Sequence, residues 1–146
     1  MSRDEHVSAD DAPVQRSFRL PAATLDRLER RARERGQSAN AVAARLIDEG
    51  LRAEDHPLIY FRDGVLGRRP ALLGSRVDVW QVVDTLRAHD GAVDATAAYL
   101  DQPEVKIRAA MRYYADFGDE VDEFAARASD AARREEEAFR RTSSAA

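Results

Sequence analysis

A chain of 146 residues with 44% hydrophobic and 34% charged side chains can build one ordinary domain or two small ones. It is neither collagen-like nor membrane-spanning, because its uncharged apolar runs stop at four to six residues, against the roughly 20 that a bilayer needs. The absence of cysteine removes disulfides, thiol catalysis and cysteine-bound zinc together, and His6, His56 and His89 are too scattered for a metal site. The net charge of −4 argues against a nucleic-acid partner only until its distribution is read. Residues 1–13 sum to −3, whereas residues 14–35 hold seven basic and three acidic groups, and local charge sets phosphate affinity.

In chain order, residues 1–13 are acidic and offer nothing to bury, so they are expected to be disordered. No apolar segment follows Met1, so no secretory leader is expected and the cytoplasm is the expected location. Ser17, Phe18, Arg19 and Leu20 alternate polar and apolar, a strand pattern stopped by Pro21. Ala22 to Arg35 carries Leu25, Leu28 and Ala32 at helical spacing, and Gly36 is placed to end that helix in the left-handed region. Ser38 offers an N-cap to a second helix over about Ala39 to Arg52, with Val42, Leu46, Ile47 and Leu51 on one face.

A polar break at Glu54–Pro57 opens a second block. Leu58-Ile59-Tyr60-Phe61 predicts a strand, Asp63-Gly64 a hairpin turn, and Val65-Leu66 the returning strand, before an irregular segment punctuated by Gly67, Pro70 and Gly74. Val79, Val82, Val83 and Leu86 predict a helix that stops near Asp90-Gly91, and a short helix follows over about Asp94 to Leu100. Asp101 and Glu104 have capping-box spacing and start a helix that buries Ile107, Ala110, Met111 and Tyr114 and ends at Gly118. Asp119 to about Arg141 is a further helix with a mainly alanine stripe, which gives it little area to pack on its own domain. The expected organisation is therefore 1–13, 14–53, 57–118 and 119–146.

A single strand inside residues 14–53 has no partner there, and about 40 residues bury too little surface to fold alone. An intertwined homodimer answers both difficulties. Two strands pair antiparallel, Phe18 and Leu20 face a shared core, and Gln15, Ser17 and Arg19 face out from a ribbon that fits the major groove. Arginine suits guanine there, glutamine suits adenine, and serine suits either base type. An arginine-rich helix taken alone is a solvated face, and a serine before a helix taken alone is a cap. The lone strand and the basic window together favour DNA.

These residues, Phe18-Arg19-Leu20-Pro21 with Leu25, Leu28, Gly36 and Ser38, resemble the ribbon-helix-helix repressors of the MetJ/Arc/CopG type over about a quarter of the chain. The resemblance implies base reading by Gln15, Ser17 and Arg19. It implies a phosphate anchor at Ser38, Ala39 and Asn40, where free amides and the helix dipole favour an anion. Arg16 stands where that family has an apolar residue, so the first half of the strand is either splayed or turned to phosphate.

Gly67-Arg68-Arg69-Pro70, Gly74-Ser75-Arg76-Val77 and Val79-Trp80, continuing through Tyr99, Ala109-Ala110 and Tyr113-Tyr114, resemble the domain of unknown function numbered 433 over about residues 56–124. Arg68 replaces its second glycine and Ser75 its threonine. Gly74-Ser75-Arg76 is expected to be a fixed corner, and Trp80 a core residue. The acids around Asp116–Glu123 are ordinary residues of a helix start, not a metal centre, and no catalytic constellation is present.

The expected fold class is thus mainly α: a ribbon-helix-helix module, then a small helix-turn-helix-like domain with a short β-hairpin, then a C-terminal helix. The combination resembles the antitoxin half of VapB-type toxin–antitoxin pairs. That resemblance implies repression of its own promoter and a PIN-like ribonuclease toxin as partner, with no cofactor, membrane or enzymatic activity of its own. Phe139 would then anchor the C-terminal helix on the toxin, while Arg133, Arg134, Arg140 or Arg141 approach its catalytic carboxylates and exclude the metal. The alternative is a stand-alone ribbon-helix-helix regulator whose second domain dimerises or senses.

Overall fold

The computed structural model describes residues 12–144, in which five helices and one two-stranded sheet make a mainly α protein. The chain divides at Arg45/Leu46 into two compact units, a division that falls inside the second helix.

In the first unit, residues 13–21 form neither helix nor ladder. Pro21 then caps α1 (Ala22–Arg35), its carbonyl accepting from the amides of Thr24 at 2.9 Å and Leu25 at 3.1 Å. Gly36 ends α1 at φ 62°, and the amide of Gln37 returns to the carbonyl of Ala32 at 3.0 Å. This left-handed stop is one that glycine takes without a Cβ penalty. Helix α2 (Ala39–Asp55) runs three residues beyond the expected Arg52. Among the described residues of this unit, Ala32 and Val42 are the buried apolar ones.

The second unit holds the main core. Strand β1 (Ile59–Arg62) pairs antiparallel with β2 (Arg69–Leu72), Ile59 opposite Leu72 and Arg62 opposite Arg69. The hairpin is therefore wider than expected: Val65 and Leu66 lie in the connecting loop, and Pro70 lies inside the returning strand. Proline is tolerated because each strand of a two-stranded sheet is an edge. Gly67 takes φ 111°, while Arg68 keeps an ordinary negative φ, so its side chain is accommodated without backbone strain.

Helices α3 (Val79–Ala88) and α4 (Val93–Leu100) lead to α5 (Glu104–Ser144). Ile59, Leu72, Val79, Val82, Val83, Ile107, Ala110, Tyr113 and Val121 form one buried cluster with these helices and the sheet. The expected helix boundary falls within one residue of its place: α5 is two helices joined across a kink at Phe117 (φ −130°, ψ 32°), immediately before Gly118, and the second runs on to Ser144. One sequence expectation does change, because the second helix packs, with Val121 and Phe124 buried at 2% and 5% exposure. Two large side chains at the right spacing outweigh the poor area of the alanines. The expectation for residues 1–13 lies, up to residue 11, outside the described residues.

Candidate functional site

In the first unit, Gln15, Arg16, Ser17 and Arg19 are all exposed. So are the apolar residues of the same segment, with Val14 at 89%, Phe18 at 70% and Leu20 at 51%. Leu25 on α1 is also uncovered, and so, in the part of α2 that belongs to the second unit, are Leu46, Ile47 and Leu51. The segment thus has a strand pattern without a ladder, and its apolar side chains are uncovered within one chain.

The start of α2 is capped by Ser38. The hydroxyl of Ser38 accepts from the amide of Ala41 at 3.1 Å, and its carbonyl accepts from Val42 at 3.1 Å. The earlier amides of Ala39 and Asn40 have no intrahelical acceptor, as at any helix start. No acid lies in the first turn of α2 to neutralise them. On α1, Arg27, Arg30 and Arg31 share one exposed face at i, i+3 and i+4 spacing. Arg31 meets Glu34 at 3.8 Å and Arg27 donates to Thr24 at 3.3 Å, while Arg27 and Arg30 meet no carboxylate among the described residues.

The second unit contains two polar clusters that the sequence does not announce. Asp78, 3% exposed, accepts from the Nε of Arg62 at 2.7 Å, the Nε of Arg69 at 2.8 Å and the indole of Trp80 at 3.2 Å. Asp78 also precedes α3, where its amide donates to the side chain of Gln81 at 2.8 Å. One buried carboxylate thus ties both strands to the start of α3. Its bond holds the Arg62 guanidinium above its ordinary pKa, against burial. Trp80 is half-buried against the core, with a polar partner for its N–H.

The other cluster joins the last turns of α2 to the break in α5. Arg52 forks onto Glu120 at 2.6 and 2.9 Å, donates to the hydroxyl of Tyr113 at 3.0 Å, and lies 3.9 Å over the ring of Phe117. The Glu120 bond, opposed by desolvation, raises the Arg52 pKa, and the same bond holds the Glu120 carboxyl below its usual range. Tyr113 is pushed up by burial. His56 Nε2 lies 2.9 Å from Asp116. Earlier on α2, Glu49 takes two bonds from Arg68. The residue that departs from the glycine pattern of the second motif is therefore paired.

Ser75 behaves as the expected corner: its hydroxyl donates to the carbonyl of Leu72 and accepts from the amide of Val77, both at 3.1 Å. Past Ala131 every described residue of α5 is exposed, Phe139 by 71%. Arg133 pairs with Asp130 at 3.1 Å and Arg140 with Glu136, while Arg134 and Arg141 stand exposed on the same arm. An open groove of about 380 Å³ lies where the hairpin loop faces this helix, lined by Leu66, Trp80, Ala128 and Ala131. Among the described residues no three acids or histidines converge as metal ligands, and no helix is long and apolar enough to cross a membrane.

No family model, curated protein or solved structure matches the chain. The functional reading therefore rests on the residues and their geometry.

Proposed function

We propose that the chain is the antitoxin of a type II toxin–antitoxin pair, a homodimer that binds its own promoter and neutralises a PIN-like ribonuclease. The observation that carries this reading is the segment 13–21. It has the alternation of a strand but no ladder, and it exposes Phe18 and Leu20 beside Gln15, Ser17 and Arg19. A second copy supplies both missing elements, a strand for the backbone and a core for the apolar side chains. Burying each of those two side chains is worth about 1.5–3 kcal/mol. The readers then stand on one face of a two-stranded ribbon in the major groove, with the α2 start of each copy at a phosphate. Arg16 contributes to phosphate at the edge of that ribbon.

The antitoxin half of the proposal uses the exposed arm of α5. Every described residue of it past Ala131 is exposed, and it carries one large apolar residue, Phe139, among arginines, of which Arg133 and Arg140 pair with acids of the same helix.

The test is a gel-shift titration on the protein's own promoter. Arg19→Ala is expected to fold and to dimerise but to lose sequence-specific binding, since a bidentate base contact is worth about 1–3 kcal/mol and occurs twice per dimer. Unchanged specific affinity would mean that the ribbon does not read the bases.

A further inference from the structure

The exposed arginine face of α1 is a charged surface for which the chain itself provides a complement. Arg27, Arg30 and Arg31 present three guanidinium groups on one side of the helix, with Glu34 the acid beside them. The stretch just ahead of the ribbon carries Asp4, Glu5, Asp10 and Asp11 against a single arginine, Arg3. The acids and the arginines belong to segments of opposite sign, and a nucleic-acid phosphate is an anion of the kind that suits the same guanidinium groups.

The dimer proposed above, on which this inference rests, decides where the acids can go. In that dimer, a pairing that places Ser17, the middle of the three readers, opposite its own copy would bring residue 12 of one chain opposite residue 22 of the other, where α1 begins. The point where the acidic stretch joins the chain would then stand at the second copy's α1. Eight residues, 4–11, reach about 27 Å when extended. The 14 residues of α1 span about 21 Å. The stretch is thus long enough to run the length of that helix, and its charge is of the right sign.

We propose that residues 4–11 of each copy dock on the Arg27–Arg30–Arg31 face of the other, as an intramolecular competitor that suppresses sequence-independent DNA binding. Specific binding is less affected, because base contacts by Gln15, Ser17 and Arg19 do not involve that face. The consequence is a higher specificity ratio at a lower total affinity, which is the quantity that matters against a genome of competing sites.

The test compares the full chain with a form lacking residues 2–11, and with D4N/E5Q/D10N/D11N, on a random-sequence duplex across a salt series. Both altered forms are expected to bind about tenfold more tightly at 50 mM salt, with a steeper salt dependence, because more arginines become available to release counterions. A synthetic peptide of residues 1–13, added to the shortened form, is expected to weaken its binding in a salt-dependent way. That peptide should have no effect on R27Q/R30Q/R31Q in the shortened chain. Affinities of the shortened and full chains within twofold at every salt, or a peptide without effect, would overturn docking. If both chains bind their own promoter specifically, the DNA-binding reading survives that loss. If no form binds DNA at all, both fall together.

Discussion

Asp78 is the residue on which most of the second unit's polar order converges. Its carboxylate is buried, two arginines from opposite strands donate to it, and Trp80 adds a third bond. Removing one partner of such a cluster leaves uncompensated charge in a dry place, so Asp78→Ala is expected to destabilise the fold by about 3–5 kcal/mol. Urea unfolding at neutral pH measures this directly. Glu120 is more exposed and its contribution correspondingly smaller. Its carboxyl is held below the ordinary 4.5 by Arg52. A depressed carboxyl pKa stabilises the folded state above the unfolded value, and that contribution disappears as pH falls through the folded one. Glu120→Gln is therefore expected to lower stability by about 1 kcal/mol at pH 7. Its melting curve should then converge with that of the natural protein as the pH is taken well below 4.5. These two clusters were not legible in the sequence. Arg52 and Glu120 are 68 residues apart, and nothing local distinguishes them from the other arginines and acids of a highly charged chain. Ser75 was legible because a small hydroxyl between Gly74 and Arg76 has few partners except its own turn.

At the scale of elements, periodicity and end signals together placed the helices well. The stripe Val79, Val82, Val83 placed α3, and Leu25, Leu28 and Ala32, with Pro21 and Gly36 as bounds, placed α1 with both its ends. They failed where punctuation was read too literally. Asp63-Gly64 signals a two-residue turn, yet the strand returns only at Arg69, because a pairing through Arg69 and Pro70 brings Arg69 and Arg62 together onto Asp78. Gly118 reads as a stop, and α5 does break beside it, at Phe117. The alanine stripe beyond the break reads as having little to pack, yet Val121 and Phe124 are buried. That burial moves a testable boundary. A chain ended after Gly118 would lose two core residues, whereas one ended after Ala132 loses only exposed ones. Truncation after Ala132 is expected to leave the urea midpoint nearly unchanged and to abolish neutralisation of the proposed toxin.

For the whole molecule, the proposed dimer would cover Phe18, Leu20 and Leu25, which are exposed in the single chain. Folding of that unit and association are then linked, and the melting temperature should rise with protein concentration. A folded monomer in sedimentation at micromolar concentration would refute the intertwined dimer. The charge of the whole, −4, conceals the basic window, and the expected fold class was legible at the level of a mainly helical protein with one hairpin. The most direct test of the account is growth rescue. The product of the adjacent reading frame, which the antitoxin reading expects to be a nuclease, is expressed together with this chain, with its Arg19→Ala form, or with the chain ended after Ala132. The full chain and Arg19→Ala are expected to restore growth, because neutralisation uses the arm and not the ribbon, and the shortened chain is expected to fail. Absence of rescue by the full chain would contradict the antitoxin reading and leave a DNA-binding regulator in its place.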